Sequence, residues 1–353
     1  MDVDALAGEL ERLAAEEHFS GVVMVEGPDG IVHQSVHGWA SRTWQVPCSL
    51  DTRFDTASIT KLFTAVATLQ VVEEGAFDLD TDVIAYLGLT GTALSAGITP
   101  FHLLTHTSGI ADDADEEAGE DYAALFVDRP SYAVRTTADH LPYFVHKPPN
   151  FAPGDGCRYC NCGYVLLGLM VERATGRSYP DHAAERIFDP AGMARSGFFA
   201  MDEVQPDVAE GADPVTDGSG GVVGWRRNIY SYPPVGSPDG GAHVTAPDLL
   251  AFHRALVEGR LLGTDGTAAM LTPKVPYRPE GREPREMGFG LQFQPGADGR
   301  VRSYWKEGIN AGASGILVHY PAEALTAVVL SNMEDGAWEP FHTIDRLAAP
   351  PAP

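Results

Sequence analysis

The chain has 353 residues, 44% of them hydrophobic and 21% charged, enough for a large buried core and more than one ordinary small domain needs. A formal net charge of −25 argues against nucleic acid and anionic membrane as partners, because neutralising phosphate takes clustered Lys and Arg, and it reads as an adaptation for solubility or salt tolerance. The longest apolar runs, such as "YVLLGLMV", stop well short of the roughly 18 residues a bilayer span requires, so no membrane span is expected.

The opening "MDVDALAGELERLAAEEH" is an acidic amphipathic helix pattern without the basic and apolar regions of an export signal. It predicts a cytoplasmic protein, although the mature form of an exported one reads alike. "GVVMVEGPDGIVHQSVHGWA" places β-branched residues on both sides of a Pro-Asp-Gly turn and predicts an antiparallel hairpin, with His33 and His37 on one face as surface histidines. Ser58 to Gly75, "SITKLFTAVATLQVVEEG", has helical periodicity with glycine as its stop.

Between about Gly75 and Gly240 the pattern is helical and loop-rich, and "CGYVLLGLMVERATG" and "YPDHAAERIFDPAGM" are its clearest helices. Within it, the acid run "DDADEEAGED", Asp112 to Asp121, reads as a solvated loop. Asp213 to Gly240, rich in Gly, Pro and Ser, reads as a long surface loop. The helix "TAPDLLAFHRALVEG" follows, then strand-like "MGFGLQFQ", "RVRSYWKEG", "SGILVHYP" and "ALTAVVLSN", and a last amphipathic "GAWEPFHTIDRLA". "GFG", Gly288 to Gly290, reads as part of a closely packed strand. The two ends of the chain, 1–74 and 241–353, are expected to build one antiparallel sheet flanked by helices, an α/β (α+β) fold with residues 75–240 inserted as a mostly helical domain and the active site between the two.

Ser58-Ile59-Thr60-Lys61 has the form S-x-x-K, and at a helix start a spacing of three sets the hydroxyl beside the amine. A serine hydroxyl is a weak nucleophile that needs an adjacent base, and a lysine serves when its environment lowers its pKa; a helix N-cap accounts for the serine equally well. Lysine usage favours the chemical reading. Lys61, Lys147, Lys274 and Lys306 are the only lysines among 24 Lys plus Arg, and an amine in so arginine-biased a chain suggests a group that must lose its proton. Tyr159-Cys160-Asn161 has the form Y-x-N, a phenol for proton transfer with an amide for hydrogen bonding. "KEG", Lys306 to Gly308, closes a strand pattern.

Three of the four cysteines, Cys157, Cys160 and Cys162, crowd around Tyr159, but a structural zinc site wants two pairs and Cys48 is the only other thiol. They read as small buried residues. His102 and His106 lie four apart without the glutamate of a zinc hydrolase motif, so no metal is expected there. Neither a G-x-S-x-G elbow nor a phosphate-binding glycine loop occurs.

These blocks together resemble the serine β-lactamase and penicillin-binding-protein superfamily, in the branch of class C β-lactamases, family VIII esterases and D-amino-acid peptidases. "RFDTASITKLFTAVATLQVVEEGAFDLDTDV", "HLLTHTSGI", "FAPGDGCRYCNCGYVLLGLMVERATG", "RIFDPAGM" and "GGAHVTAPDLLAF" stand in that family's order, and "KEGINAGASGILVHYP" is similar to its Lys-Thr-Gly strand and the strand after it. The resemblance implies a cofactor-free acyl-enzyme at Ser58, with Lys61 as partner and general base. Tyr159 would relay the proton and Asn161 would orient Lys61 and the acyl side. Lys306 would keep the site positive, and Lys61 and Tyr159 acidic. The backbone N–H groups of Ser58 and Ile309 would form the oxyanion hole, and Gly308 would let substrate approach the strand. Which of Lys61 and Tyr159 takes the first proton stays open.

Three activities stay open as well: esterase or amidase, β-lactamase or D-alanyl-D-alanine carboxypeptidase, and an acyltransferase or non-hydrolytic penicillin-binding-like protein. The partner implied is a small-molecule or peptide acyl substrate, and the sequence carries no signal of oligomeric state. Glu307 stands where β-lactamases of this family carry Thr or Ser. Facing the substrate, it would repel a β-lactam carboxylate and favour neutral or cationic acyl donors; the alternative is that it turns away from the site or pairs with Lys306 or a nearby arginine.

Overall fold

The computed structural model describes residues 1–278 and 283–348; residues 279–282 and 349–353, which belong to the expected sheet-forming half, lie outside the description. Eight strands form one sheet: β1 (Gly21–Gly27), β2 (Gly30–His37), β3 (Val275–Tyr277), β4 (Arg285–Met287), β5 (Gln292–Pro295), β6 (Val301–Asn310), β7 (Ala313–Tyr320) and β8 (Leu325–Ser331). Their order is β2-β1-β8-β7-β6-β5-β4-β3 and every pairing is antiparallel. The amino-terminal hairpin thus joins the carboxy-terminal strands edge to edge, with Val23 opposite Val329.

Side-chain alternation along each strand divides the sheet into two faces. Val23, Val25, Ile316, Val318 and Val329 point to one face, where helix α1 (Val3–Ala15) buries Leu6, Leu10 and Leu13 and the last helix contributes Ile344. Each of those leucines contributes about 2 kcal/mol by leaving water. Val22, Met24, Leu317, Val328 and Leu330 point to the other face and join the larger core. There lie α2 (Lys61–Glu73), α3 (Asn161–Thr175) and α4 (Ala246–Val257). All residues of α2 from Lys61 to Val71 are buried, which explains why its sequence is apolar or small all round instead of striped.

Three local expectations are corrected. Asp213 to Gly240 is not one loop: Ala212–Thr216 and Val222–Arg227 form a two-stranded hairpin, tied to the β6–β7 turn where Gly312 N–H donates to Asp213 Oδ2 at 2.8 Å. Its strands are mostly exposed, so they lack the apolar alternation that marks a strand in sequence. His33 is buried rather than at the surface, with Nε2 3.0 Å from Ser35 Oγ, because β2 turns that face toward α1. Gly288 to Gly290 is the bend between β4 and β5 rather than a strand. Gly290 has φ +76°, and a Cβ there would lie 3.2 Å from the Lys61 carbonyl, so the bend forms the floor beneath the start of α2.

Candidate active site

Ser58 lies in a single 3₁₀ turn, Ala57–Thr60, that leads directly into α2. Ala57 holds φ +42°, an uncommon conformation for a residue with a Cβ, and its N–H donates to Asp55 Oδ1 at 2.7 Å. The turn leaves Ser58 half-buried and sends Lys61 into the interior with no exposed area. Lys61 Nζ lies 2.9 Å from Ser58 Oγ, 2.6 Å from Asn161 Oδ1 and 2.6 Å from the Asp239 carbonyl oxygen. A neutral amine has two protons and one lone pair. Given to Asn161 Oδ1 and Asp239 O, the protons leave the lone pair facing the Ser58 hydroxyl. The Tyr159 hydroxyl reaches the same Oγ at 2.7 Å.

The Y-x-N residues are held by two segments running side by side. Residues 150–162 are pinned to residues 105–112 by Asn150 N–H to Gly109 O at 2.8 Å, Gly154 N–H to Thr107 O at 2.8 Å and Arg158 N–H to His106 O at 2.9 Å. Gly109, at φ +71°, allows that contact, since a Cβ would come within 2.0 Å of the Phe151 carbonyl. Asn161 begins α3, whose N-cap residue Cys160 offers no side-chain cap. Asp112 replaces it: Oδ2 accepts from Asn161 N–H at 2.8 Å and Oδ1 from Cys162 N–H at 2.9 Å.

The acid run is therefore solvated only from Glu116 onward, and its first residues are buried. Asp112 and Asp113 are each only 4% exposed, and Lys147 Nζ donates to both of their carbonyl oxygens at 2.7 Å. Further along, Glu116 Oε1 accepts from Asn161 Nδ2 at 2.8 Å. Glu117 Oε1 accepts from Tyr159 N–H at 2.7 Å and from the Tyr277 hydroxyl at 2.9 Å, so the run also bridges the site to β3. Asp115 pairs with Arg158 at 2.7 Å.

The third motif is split by the strand. Lys306 is opposite Leu317 on the face toward α2, is 2% exposed, and sets its Nζ 5.0 Å from the centre of the Tyr159 ring. Gly308 shares that face, and a Cβ there would sit 2.1 Å from the Thr56 carbonyl and 2.9 Å from Ser58 N, so its bareness admits the serine turn. Glu307 is opposite Ile316, on the face covered by the terminal helices, and its Oε1 accepts from Gln292 Nε2 at 3.5 Å. The expectation that Glu307 confronts substrate is corrected by this alternation. Ile309 follows and is 42% exposed.

Burial lowers the Lys61 pKa below the ordinary lysine value, against the pull of Asp239, Glu116 and Asp112. Burial, then the charge of Lys61, brings Lys306 down to about 7. Tyr159 goes the other way from the expected acidity: burial and Glu116 raise its phenol well above the usual range. The amine is thus the group driven toward its basic form, while the phenol keeps its proton. All four cysteines are free, with Cys160 and Cys162 buried beside Tyr159. Among the described residues Asp112, Asp113 and Cys162 bring ligand-type atoms within 4.8 Å of one another. Both Asp112 oxygens and the Cys162 sulfur already accept backbone N–H groups, the last from Asp113 at 3.2 Å, so a metal ion would have to displace the cap of α3.

Sequence reasoning missed Asp239 because a carbonyl oxygen has no residue-type signature. It missed Asp112, Glu116 and Glu117 because they stand in a run of like charges; the one available signal was that Asp112 follows the "HTSGI" block after a single alanine.

A family model described as Beta-lactamase matches residues 6–349. The chain belongs to the beta-lactamase family. As a member it is a serine hydrolase with a β-lactamase-like fold. The beta-lactamase-family chain is similar to a penicillin-binding protein of Bacillus halodurans, whose solved structure superposes with a TM-score of 0.87 at 34% identity, over 96% of this chain and 99% of that one. It is 30% identical to esterase EstB of Burkholderia gladioli over 72% of this chain and 71% of the relative. It is 29% identical to a D-aminopeptidase of Cereibacter sphaeroides over 96% of this chain but 61% of that longer relative. No described helix is long and apolar enough to cross a membrane.

Proposed function

We propose that the protein hydrolyses esters, amides or peptides through a covalent acyl-enzyme on Ser58, with neutral Lys61 as the base. The observation that carries this reading is the Lys61 amine, buried and spanning Ser58 Oγ, Asn161 Oδ1 and Asp239 O at 2.9, 2.6 and 2.6 Å. Ser58 transfers its proton to Lys61 as Oγ attacks the acyl carbon; Tyr159, protonated and 2.7 Å from Oγ, relays a proton to the leaving group. The Ser58 and Ile309 N–H groups receive the oxyanion, and the charge on Lys306 supports it. Four free thiols suit a reducing compartment, which supports a cytoplasmic location.

The preferred acyl donor is neutral or carries a free amine. Glu116, hydrogen-bonded to Asn161, is the carboxylate at the mouth that supports this preference, in the place first given to Glu307. The relatives named as an esterase and a D-aminopeptidase point the same way. The test has two arms. A fluorophosphonate followed by intact mass and peptide mapping should label Ser58 alone; label on Cys160 or another serine refutes the nucleophile. With labelling established, Glu116→Gln should lower kcat/KM for an amino-acid p-nitroanilide about 10-fold while leaving p-nitrophenyl acetate within about twofold. Equal losses on both substrates, or efficient hydrolysis of an anionic cephalosporin by the wild type, refute the substrate preference.

A further inference from the structure

The two histidines of "HLLTHTSG" part company in the fold. His102 caps its own short helix, with Nδ1 3.3 Å from Thr99 N. His106 instead turns inward, is 4% exposed, and holds φ +58°, a conformation rare outside glycine and costly unless the surroundings enforce it. What surrounds it is Tyr159. The carbonyl of His106 accepts the N–H of Arg158 at 2.9 Å and its Nδ1 accepts the N–H of Cys160 at 3.1 Å, so both peptide neighbours of the tyrosine are tied to one residue. The imidazole lies against the phenol ring with centroids 4.6 Å apart and planes 30° apart, and its own ring neighbours Tyr164 at 5.2 Å.

We propose that His106 is a positioning residue for acylation: its imidazole, accepting the Cys160 N–H through Nδ1 and stacked on Tyr159, fixes the phenol over Ser58. The inference rests on the acyl-enzyme reading above. Accepting at Nδ1 places the ring proton on Nε2 and keeps the imidazole neutral, which burial also favours. A cation in this place would face Lys306 across the phenol, and Lys61 too once it takes the Ser58 proton, since each amine lies 5.0 Å from the Tyr159 ring centre. Neutral and flat, the imidazole serves as a wall that leaves the phenol one rotamer, the one that reaches Ser58 Oγ. His106 touches neither Ser58 nor the acyl carbon; its effect passes through Tyr159.

The test is a double-mutant cycle read on p-nitrophenyl acetate hydrolysis and on the rate of fluorophosphonate labelling. His106→Asn tolerates the left-handed backbone and removes the ring. It should lower kcat about 30-fold with KM within about twofold, because the ground state is bound elsewhere. In a Tyr159→Phe background the same substitution should change kcat by less than about twofold, since the group it positions is gone. Losses that multiply in the double mutant, or a single mutant within twofold of wild type, overturn the proposal. If the asparagine variant fails to fold, His106→Gly, which is unstrained at φ +58° and removes both ring and acceptor, carries the same cycle with the same outcomes. Wild type that is not labelled at Ser58 sinks the acyl-enzyme reading itself, whereas labelled Ser58 with multiplying losses sinks only the role of His106.

Discussion

The start of α2 and the segment from Thr105 to Glu117 hold the two halves of one site, and they do so by opposite means. The first is helical and nearly uncharged, and it buries a single amine among backbone and amide oxygens. The second is irregular and strongly acidic, and it turns its carboxylates inward to backbone N–H groups. In the helix a fixed spacing delivers the geometry. In the segment no spacing exists, so hydrogen bonds to Tyr159, Asn161 and Cys162 must deliver it. The comparison shows that a run of acids can be scaffold as well as solvated surface, once a helix N-terminus lies within reach.

Substitutions on either side should separate the two means. Lys61→Arg puts a permanently charged group where the neutral amine stands and removes the base; Ser58 acylation should fall on the order of 100-fold or more while the fold survives. Turnover near the wild-type rate would reduce Lys61 to an electrostatic neighbour and make Tyr159 the base. Asp112→Asn, on the irregular side, should cost about 1–3 kcal/mol of stability by leaving a buried N–H poorly paired. It should also lower kcat about 10-fold through a displaced Asn161, measured by denaturant unfolding and ester hydrolysis on the same sample. Stability lost without any change in kcat would limit Asp112 to a structural cap.

The two kinds of buried group also pull stability in opposite directions with pH. Burial holds His253 at about 3 and His319 at about 4, so the unfolded chain binds more protons than the folded one below about 6.5, and stability falls as pH drops from there. Asp112, raised to about 6 by burial, is protonated in the folded chain before it is in the unfolded one, so its contribution is present below the usual carboxylate value and is lost as pH rises through about 6. Melting temperature should therefore rise between pH 4 and 6.5 by a few degrees more in Asp112→Asn than in wild type. An unchanged slope would mean that Asp112 is ionised throughout that window. Glu307→Thr, on the face turned from Ser58, should leave kcat/KM for both a neutral ester and an anionic cephalosporin within about twofold. A shift toward the cephalosporin would return Glu307 to the site.

Much of this was legible in the sequence where residue type and spacing act together. Ser58 and Lys61 share a helix face at three residues, Tyr159 and Asn161 flank one cysteine, and the strand runs from β5 to β8 carry apolar alternation or continuous apolar stretches. Glu307 was misplaced because a motif gives the position of a side chain along a strand but not the face it takes. That face is set by register against β7, where its partner is Ile316. Asp239 acts through its carbonyl, and Asp112 through a helix whose own N-cap is a cysteine without a cap bond. Neither fact has a counterpart in composition. The hairpin at 212–227 was missed because its anchors, Asp213 and Asn228, are polar and its strands are mostly exposed.

The central claim is that a buried, neutral Lys61 takes the Ser58 proton. The pH dependence of Ser58 acylation by a fluorophosphonate, followed by quenched intact mass in wild type and Lys61→Arg, tests it most directly. The account predicts that the wild-type rate rises with one deprotonation whose pKa lies below the ordinary lysine value of 10.5, and that this limb disappears in Lys61→Arg. The same limb persisting at the same pH in Lys61→Arg would contradict it, and the base would then have to be sought at Tyr159.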